Sequence, residues 1–313
     1  ERDKEINGVT FGSVGNGTQV DHVQVSYCND DSYEWFGGTV NAKYLVAYKG
    51  WDDEFDTDNG FSGKVQFCLS VRDSRIADTS QSNGFESDNC ADGAAIDPYT
   101  TATFSNITFV GPKAVDANFE NSTDYINGGE VYPNNGSALG RFQAAMQIRR
   151  NSRLSCFNSI AIGYPIGLIL DNQKGDTQSA ATNGLLKLQN IWFADMDITG
   201  SDANKSYDDV LVTGYDADGK AIYDNTQTSF SSRFFLAQSG NKVSTLDEMN
   251  LTGAETAVGT NFRPAAGSPL LSAASFSDSK LASMQQVSYI GAFDANDNWL
   301  DGWTEFDPQN ADY

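Results

Sequence analysis

The sequence is poor in basic residues and contains a single histidine. Among 313 residues, 20 are Lys or Arg and 42 are Asp or Glu, which gives a formal net charge of −22. Nucleic acid would repel such a polyanion from nearly every approach, so we expect no nucleic-acid partner. Only His22 is available to a Ser-His-Asp set, and we favour the simpler interpretation of an outward strand residue beside Asp21.

Cysteines and long apolar runs are also scarce. The four cysteines form no CxxC motif, so a closed zinc site of the usual spacing is not expected, and the three ways of pairing them stay open. The longest apolar stretch, residues 159–170, is interrupted by Gly163, Pro165 and Gly167 and falls short of the ~20 residues that a membrane helix needs. We therefore expect no transmembrane span.

A short apolar segment recurs with a period of about 21 residues. HVQVSY (22–27), KYLVAY (43–48) and KVQFCL (64–69) superpose, which would place Val23, Tyr44 and Val65 in one column. Two of the three segments alternate large apolar residues with small or polar ones, as half-buried strands do. Between them lie Gly, Asp, Asn and aromatic residues with little helix signal, and the leucine spacing of a leucine-rich repeat is missing.

These features predict an all-β chain that folds as a right-handed parallel β-helix. In that solenoid each coil adds strands to long parallel sheets, and the coils stack roughly 4.8 Å apart. Further downstream, Asn106, Asn158 and Asn190 occupy the same slot of three longer segments. They indicate an inward asparagine column at a coil corner, or ordinary turn asparagines.

We expect one domain with distinct parts. Residues 1–113 form regular coils, 114–150 and 200–232 are insertions, and 258–313 form a C-terminal cap. The second insertion contains a hairpin that turns at Asp218-Gly219. Strand-like sequence begins almost at residue 1 with no cap before it, so we expect residues upstream, or a partner that covers this coil, or end-to-end self-association.

An aromatic residue precedes an acid three times, as Tyr33-Glu34, Phe55-Asp56 and Phe85-Glu86. If the coils stack, the three acids form a vertical line and the three rings form part of the core. Unit charges ~4.8 Å apart repel by about 3.5 kcal/mol at an effective dielectric of ~20. A cation, nearby basic side chains or solvent must therefore compensate the acids.

Calcium suits a dense set of carboxylates, because this hard cation takes 6–8 oxygen ligands. The candidate ligands are Glu34, Asp52, Asp53, Asp56, Asp58, Glu86 and Asp88. A weaker candidate is the segment 294–305, where Asp294, Asn296, Asn298 and Glu305 fall at ligand positions of a calcium loop but Trp299 replaces its glycine. Among the aromatic residues, Trp35 and Trp51 are the candidates for stacking against sugars.

Several segments resemble a group of exported proteins of Gram-negative bacteria that are related to the pectate-lyase-like β-helices. The likeness rests on EINGVTFGSVGNGT, DDSYEWFGGTVNAKYLVAYKGWDDEFDTDNGFSGKVQF, SNGFESDN and GAFDANDNWLDGWTEFDP. The resemblance implies an exported protein at the cell surface or outside the cell. In the wider superfamily, polysaccharide lyases use calcium to neutralise a uronate while Lys or Arg removes a proton, which makes Lys49, Lys64, Arg72 and Arg75 the basic candidates here.

Three hypotheses follow from the sequence. The first is a calcium-binding extracellular or cell-surface β-helix that presents an acidic, aromatic-bearing face to a glycan or another cell-surface protein. The second is a calcium-dependent polysaccharide lyase. The third is a structural surface protein that assembles end to end through its first coil.

Overall fold

The structure is a computed structural model that describes residues 6–126, 140–253, 258–296 and 299–312. Parallel strands dominate it. In chain order the strands are β1 (Val9–Gly12), β2 (Gln19–Ser26), β3 (Tyr33–Phe36), β4 (Asn41–Tyr48), β5 (Phe55–Asp58), β6 (Lys64–Val71), β7 (Phe85–Ser87), β8 (Thr103–Val110), β9 (Ala144–Ile148), β10 (Ser155–Ile162), β11 (Ile166–Leu170), β12 (Leu188–Ala194), β13 (Ile198–Ser201), β14 (Leu211–Tyr215), β15 (Ala221–Asp224), β16 (Lys242–Ser244), β17 (Leu251–Thr252) and β18 (Arg263–Pro264).

Helices are short and lie between the strands. They are α1 (Pro112–Val115), α2 (Thr123–Ile126), α3 (Thr177–Thr182), α4 (Phe230–Ala237) and α5 (Leu246–Met249), with 3₁₀ turns at Pro269–Ser272 and Ser279–Leu281. Across the described ranges, no helix has the length and apolar character needed to cross a membrane.

Two parallel sheets of seven strands form the solenoid. Sheet A has the order β1-β3-β5-β7-β9-β11-β13, and sheet B has the order β2-β4-β6-β8-β10-β12-β16. Each coil thus gives one short strand to sheet A and then one strand, usually longer, to sheet B. The predicted right-handed parallel β-helix is confirmed.

The strands stack as predicted, but the predicted columns were wrong. Val23 pairs with Leu45, and Leu45 pairs with Cys68, so the first coils step by 22 and then 23 residues rather than by 21. Tyr44 and Val65 therefore do not share a column with Val23. The extra residues lie in the turns between strands, where the apolar pattern carries no signal.

A left-handed residue bends every long strand of sheet B at one level. The register aligns six such residues with φ between 50° and 59°: His22, Tyr44, Phe67, Asn106, Asn158 and Asn190. At the bend the in-and-out alternation restarts, so Ala42, Leu45 and Ala47 of β4 all face the interior. A strict two-residue period therefore could not predict the register.

The three predicted asparagines share one column at this bend, but Asn106 and Asn158 point outward to the C-terminal segment, so the prediction of an inward column was wrong. Asn106 donates hydrogen bonds from Nδ2 to the carbonyls of Tyr289 and Gly291, at 2.9 and 3.3 Å, and Asn158 donates to the carbonyl of Ser275 at 3.0 Å. Asparagine tolerates the left-handed conformation better than most residues. These two asparagines therefore fix the C-terminal segment to the coils in addition to turning the strand.

The C-terminal segment covers a side of the solenoid rather than its end. Its apolar residues, among them Phe262, Ile290 and Phe293, pack on the outward residues of sheet B such as Val46 and Leu69. The end of the interior is instead covered by α4, which packs on β11 and β13. Phe235 of α4 stacks on Phe193 with ring centroids 4.1 Å apart.

The two predicted insertions are only partly insertions. Strand β9 lies within 114–150 and is a regular rung of sheet A, while residues 127–139 lie outside the described part. The hairpin in 200–232 is confirmed, since β14 and β15 pair antiparallel and Gly219 of the turn has a φ of 75°. At the other end of the solenoid, β1 and β2 are the edge strands of their sheets. Self-association through this coil stays a prediction.

Candidate cation site on the acidic face

The three aromatic-acid pairs occupy consecutive rungs of sheet A. Glu34 lies opposite Asp56, and Asp56 lies opposite Glu86, so the predicted line of acids is confirmed. The preceding rings point inward and are fully buried. Tyr33 stacks on Phe55 with centroids 5.6 Å apart. The repeated phrase therefore places an aromatic ring in the core and a carboxylate on the outer face of each coil.

A second column of polar side chains links the same coils through the backbone. Oδ1 of Asp31 accepts a hydrogen bond from the amide of Asp53 at 2.9 Å, and Oδ1 of Asp53 accepts from the amide of Asn83 at 2.6 Å. Oδ1 of Asn83 in turn accepts from the amide of Ala144 at 3.1 Å. Asp53, predicted as a metal ligand, thus acts as a backbone acceptor within the solenoid.

The acids converge around Asp31. One group consists of Asp30, Asp31 and Asp52, and the other of Asp31, Glu34 and Asp56; within each group, one ligand atom per residue lies within 4.8 Å of the others. We call these five residues the acidic cluster. Three of them, Glu34, Asp52 and Asp56, were predicted as calcium ligands.

Burial makes the negative charge of the acidic cluster costly. Loss of solvent raises the pKa of Asp31, Asp52 and Asp56 well above the usual range, and neighbouring carboxylates raise each pKa further. Burial likewise raises the pKa of Glu34 to about 7, although a hydrogen bond from Asn7 opposes this rise. The cluster therefore favours either bound protons or a cation.

One oxygen of the cluster lacks any hydrogen-bond partner among the described residues. Oδ1 of Asp56 is buried and accepts no hydrogen bond. By contrast, both oxygens of Asp52 lie 2.8 Å from the hydroxyl of Ser80. A buried carboxylate oxygen without a donor costs free energy unless a cation or proton meets it. The donor set of carboxylate oxygens suits a hard cation such as calcium.

At the Glu86 end of the acid line, arginines neutralise the carboxylates. Arg149 forms an ion pair with Glu86 and donates from Nε to Asp88 at 3.0 Å, and Arg150 also pairs with Asp88. The structure thus gives Glu86 and Asp88, both predicted metal ligands, another source of compensation. Asp58, the remaining predicted ligand, lies opposite Phe36 and outside both groups of the cluster.

Two of the predicted basic candidates are held in place within the fold. Arg72 is fully buried and donates from Nη1 to Oε1 of Glu54 at 2.5 Å and to the carbonyl of Asp52 at 2.7 Å. Arg75 donates to the carbonyl of Tyr125 at 2.6 Å and lies over its ring. Neither guanidinium is positioned to take a proton from a ligand on the acidic face.

The two lysine candidates also lie away from the acidic cluster. Nζ of Lys49 is 3.7 Å from Asp73 and 4.9 Å from the centre of the Tyr48 ring, and these neighbours raise its pKa. A base with a raised pKa stays protonated, so Lys49 is poorly suited to proton removal. Nζ of Lys64 donates to Ser283 Oγ at 3.1 Å on the outer side of sheet B.

The predicted sugar-stacking tryptophans are buried, and that prediction was wrong. Trp35 is 0% exposed and is stacked between Phe11 and Phe61, each 5.3 Å away between centroids. Trp51 is 6% exposed, which leaves no ring face open to a ligand. The physical reason for Trp35 is strand alternation, because it lies two residues after the inward Tyr33.

The remaining sequence candidates lie elsewhere. The loop prediction at 294–305 includes Asn298, which falls outside the described residues, and Trp299 packs against Phe293 with centroids 5.1 Å apart. His22 lies at the left-handed bend of β2, with Nδ1 2.8 Å from Oδ1 of Asp21. All four cysteines are free.

Sequence reasoning missed the arginines that meet the acidic face. Arg149 and Arg150 are more than sixty residues beyond Glu86, at the end of a segment that was interpreted as an insertion. The adjacent apolar run AAMQI, which forms β9, was the signal that could have identified another rung. Parallel stacking then places its C-terminal end beside Asp88.

A comparison with protein families identifies the fold family. The model of the pectate-lyase-like beta helix domain matches residues 1–245, which is most of the chain, and the chain belongs to this family. Searches among curated proteins and among solved structures found no match.

Proposed function

We propose that this chain is an exported β-helix protein that binds calcium in the acidic cluster and contacts a glycan or a cell-surface partner through the same face. The buried, unpartnered Oδ1 of Asp56 beside Asp31 and Glu34 is the observation that carries the proposal. Each unit-charge pair at these separations costs about 3.5 kcal/mol at an effective dielectric of ~20. A divalent cation removes that repulsion and supplies the missing partner.

The charge pattern along sheet A supports a ligand-binding face. The acidic cluster lies in the early coils, and Arg149, Arg150 and Lys174 line a small depression further along the solenoid. Arg149 and Arg150 are already paired with Glu86 and Asp88, so calcium bound in the acidic cluster and the ammonium group of Lys174 would give an anionic glycan its positive contacts. Such a surface would bind sugar acids mainly through charge, since the rings of Tyr33, Trp35 and Phe55 are turned into the core and Phe36 is the exposed ring of β3.

A melting experiment tests the metal part of this proposal. A ligand that binds only the folded state stabilises it by about 2.7 kcal/mol at one hundred times its dissociation constant. We expect calcium to raise the melting temperature of the chain relative to chelator, and Asp56→Asn to lose most of that rise. Asp58→Asn is the matched control, since it removes a charge from the same strand outside the cluster.

Binding to a panel of glycans tests the glycan-binding part of the proposal. We expect uronate polymers to bind in the presence of calcium and to bind less in chelator. Release of unsaturated product, seen as ultraviolet absorbance, would instead show a calcium-dependent lyase. An unchanged melting curve together with no glycan binding would contradict the proposal.

A further inference from the structure

A second concave surface lies on the outer side of sheet B, away from the acidic face of sheet A. It is an open groove of about 460 Å³. Its floor is formed by β2, β4 and the start of β6, and its walls by residues 16–18 and by Ser283 and Met284 of the C-terminal segment. The volume falls within the usual range for a small-ligand site.

Aromatic rings line part of this groove. His22 and Tyr44 stack with centroids 4.7 Å apart, because both lie at the left-handed bend of neighbouring strands. Oδ1 of Asp21 holds His22 Nδ1 at 2.8 Å, and Gln19 donates to Oδ2 of Asp21 at 2.7 Å. The imidazole is thus fixed in orientation, while its side chain remains 44% exposed.

The groove carries a local excess of positive charge, whereas the chain as a whole is strongly negative. Lys43 and Lys64 both line it, and neither forms an ion pair with any part of the chain that the structure describes. Lys64 donates to the carbonyl of Ala282 and to Ser283 Oγ, which fixes its ammonium group without neutralising it. Asp21 is the one acid among the lining residues.

We propose that this groove binds an anionic saccharide, one whose sugar ring carries a carboxylate or a sulfate. The anion would lie between the Lys43 and Lys64 ammonium groups. The apolar face of the sugar ring would pack against the exposed part of the His22 imidazole, which also contacts the rings of Tyr44 and Trp303. The Nδ2 amide of Asn41, whose Oδ1 accepts a hydrogen bond from the Lys64 backbone amide, would donate to a sugar hydroxyl. Charge-assisted hydrogen bonds to an ammonium contribute more than neutral ones.

This inference goes beyond the proposed function, because it needs neither calcium nor the acidic cluster. It can therefore be tested in chelator and in the Asp56→Asn variant. The probes are glucose, glucuronate and glucose 6-sulfate, which differ only at the sixth carbon. Binding is measured by ligand-observed nuclear magnetic resonance titration at pH 7.5 and constant ionic strength.

We expect glucuronate, glucose 6-sulfate or both to bind at least about tenfold more tightly than glucose, since one charge-assisted hydrogen bond is worth more than 1.4 kcal/mol. Whichever of these two probes binds more tightly shows whether the groove prefers a carboxylate or a sulfate. Lys43→Gln should reduce the anionic preference about tenfold. Lys220→Gln, which removes an exposed lysine on the hairpin, is the matched control and should change nothing.

A second variant separates stacking from charge. His22→Asn keeps a residue that tolerates the left-handed conformation but removes the ring. It should weaken all three sugars by a similar factor and leave the anionic preference unchanged. Equal binding of the three sugars to the unmodified chain, absence of binding, or equal effects of Lys43→Gln and Lys220→Gln would overturn the proposal. Loss of calcium binding in Asp56→Asn with retained sugar binding would show that the two sites are separate.

Discussion

Glu34 and Asp56 lie directly opposite each other on neighbouring rungs of sheet A, and both carboxylates converge on Asp31. A spacing of 22 residues along the sequence becomes a contact between like charges in space. Stacking alone produces this contact, since each coil repeats the same outward position. The solenoid therefore brings together carboxylates that are distant in sequence. A bound cation would directly stabilise this concentration of negative charge.

Without calcium, stability should fall as the pH rises. The pKa of Glu34 is raised to about 7 by burial, and its unfolded value is 4.5, so the folded chain binds more protons between these values. The contribution of Glu34 to the free energy of unfolding should then be fully present below pH 4.5 and be lost as the pH rises through 7. We expect this group to account for roughly 1 to 3 kcal/mol of that decrease, measured by urea unfolding in chelator.

Glu34→Gln provides the check on this pH dependence. The amide keeps an acceptor for Asn7 but cannot ionise, so the variant should lose stability less steeply between pH 4.5 and pH 7.5. Glu120→Gln, at an exposed position, is the control and should keep the full slope. Equal slopes in Glu34→Gln and in the unmodified chain would contradict the assignment.

The buried ion pair between Arg72 and Glu54 should be needed as a unit. Both side chains are 0% exposed, so Arg72→Met leaves a buried carboxylate without its cation and should cost about 3–5 kcal/mol. Replacing Glu54 by Gln in the same chain should restore part of that loss. The urea midpoint measures both effects, and Arg233→Met, at an exposed helix position, is the control.

If the double variant were no more stable than Arg72→Met alone, the pair would not be the source of the loss. The account predicts partial recovery because removing both charges avoids the desolvation of either one. Burial raises the pKa of Glu54 to about 7 even with Arg72 beside it, which is consistent with a carboxylate that is costly to keep charged.

Trp35 should matter for stability rather than for sugar binding. It fills the interior between Phe11 and Phe61, so Trp35→Ala should cost about 3–5 kcal/mol. Trp35→Phe should cost less than half as much, because it keeps an aromatic ring and removes a buried Nε1 that has no hydrogen-bond partner among the described residues. Thermal melting of the two variants gives the comparison. If Trp35→Phe lost glycan binding while its melting temperature stayed unchanged, a role of Trp35 in stacking against sugars would be supported after all.

The sequence predicted the fold and the acid line because both rest on strand alternation. Tyr33 and Glu34 show the principle, since the Tyr33 ring faces the core and the Glu34 carboxylate faces the outer side of sheet A. The same alternation predicts an inward Trp35, which is incompatible with a role of its ring in stacking against sugars. The column register was not predictable in this way, because left-handed residues such as Tyr44 restart the alternation within a strand.

The composition of the candidate site was only partly predictable. Glu34 and Asp56 follow from the repeat, whereas Asp31 could be placed only once the turn before β3 was folded. Arg149 and Arg150 reach the acidic face across a long connection whose length sequence spacing does not reveal. Residues that parallel pairing places side by side, such as Asp88 and Arg149, can therefore lie far apart in the sequence when the connection between their rungs is long.

The most direct test of the central claim is a calcium titration by calorimetry at pH 7.5 on the unmodified chain, on Asp31→Asn with Asp56→Asn, and on Asp58→Asn. We predict one binding event in the unmodified chain and in Asp58→Asn, and none in the double variant. Absence of heat in the unmodified chain, or equal calcium binding by the double variant, would contradict the assignment of a cation site to the acidic cluster.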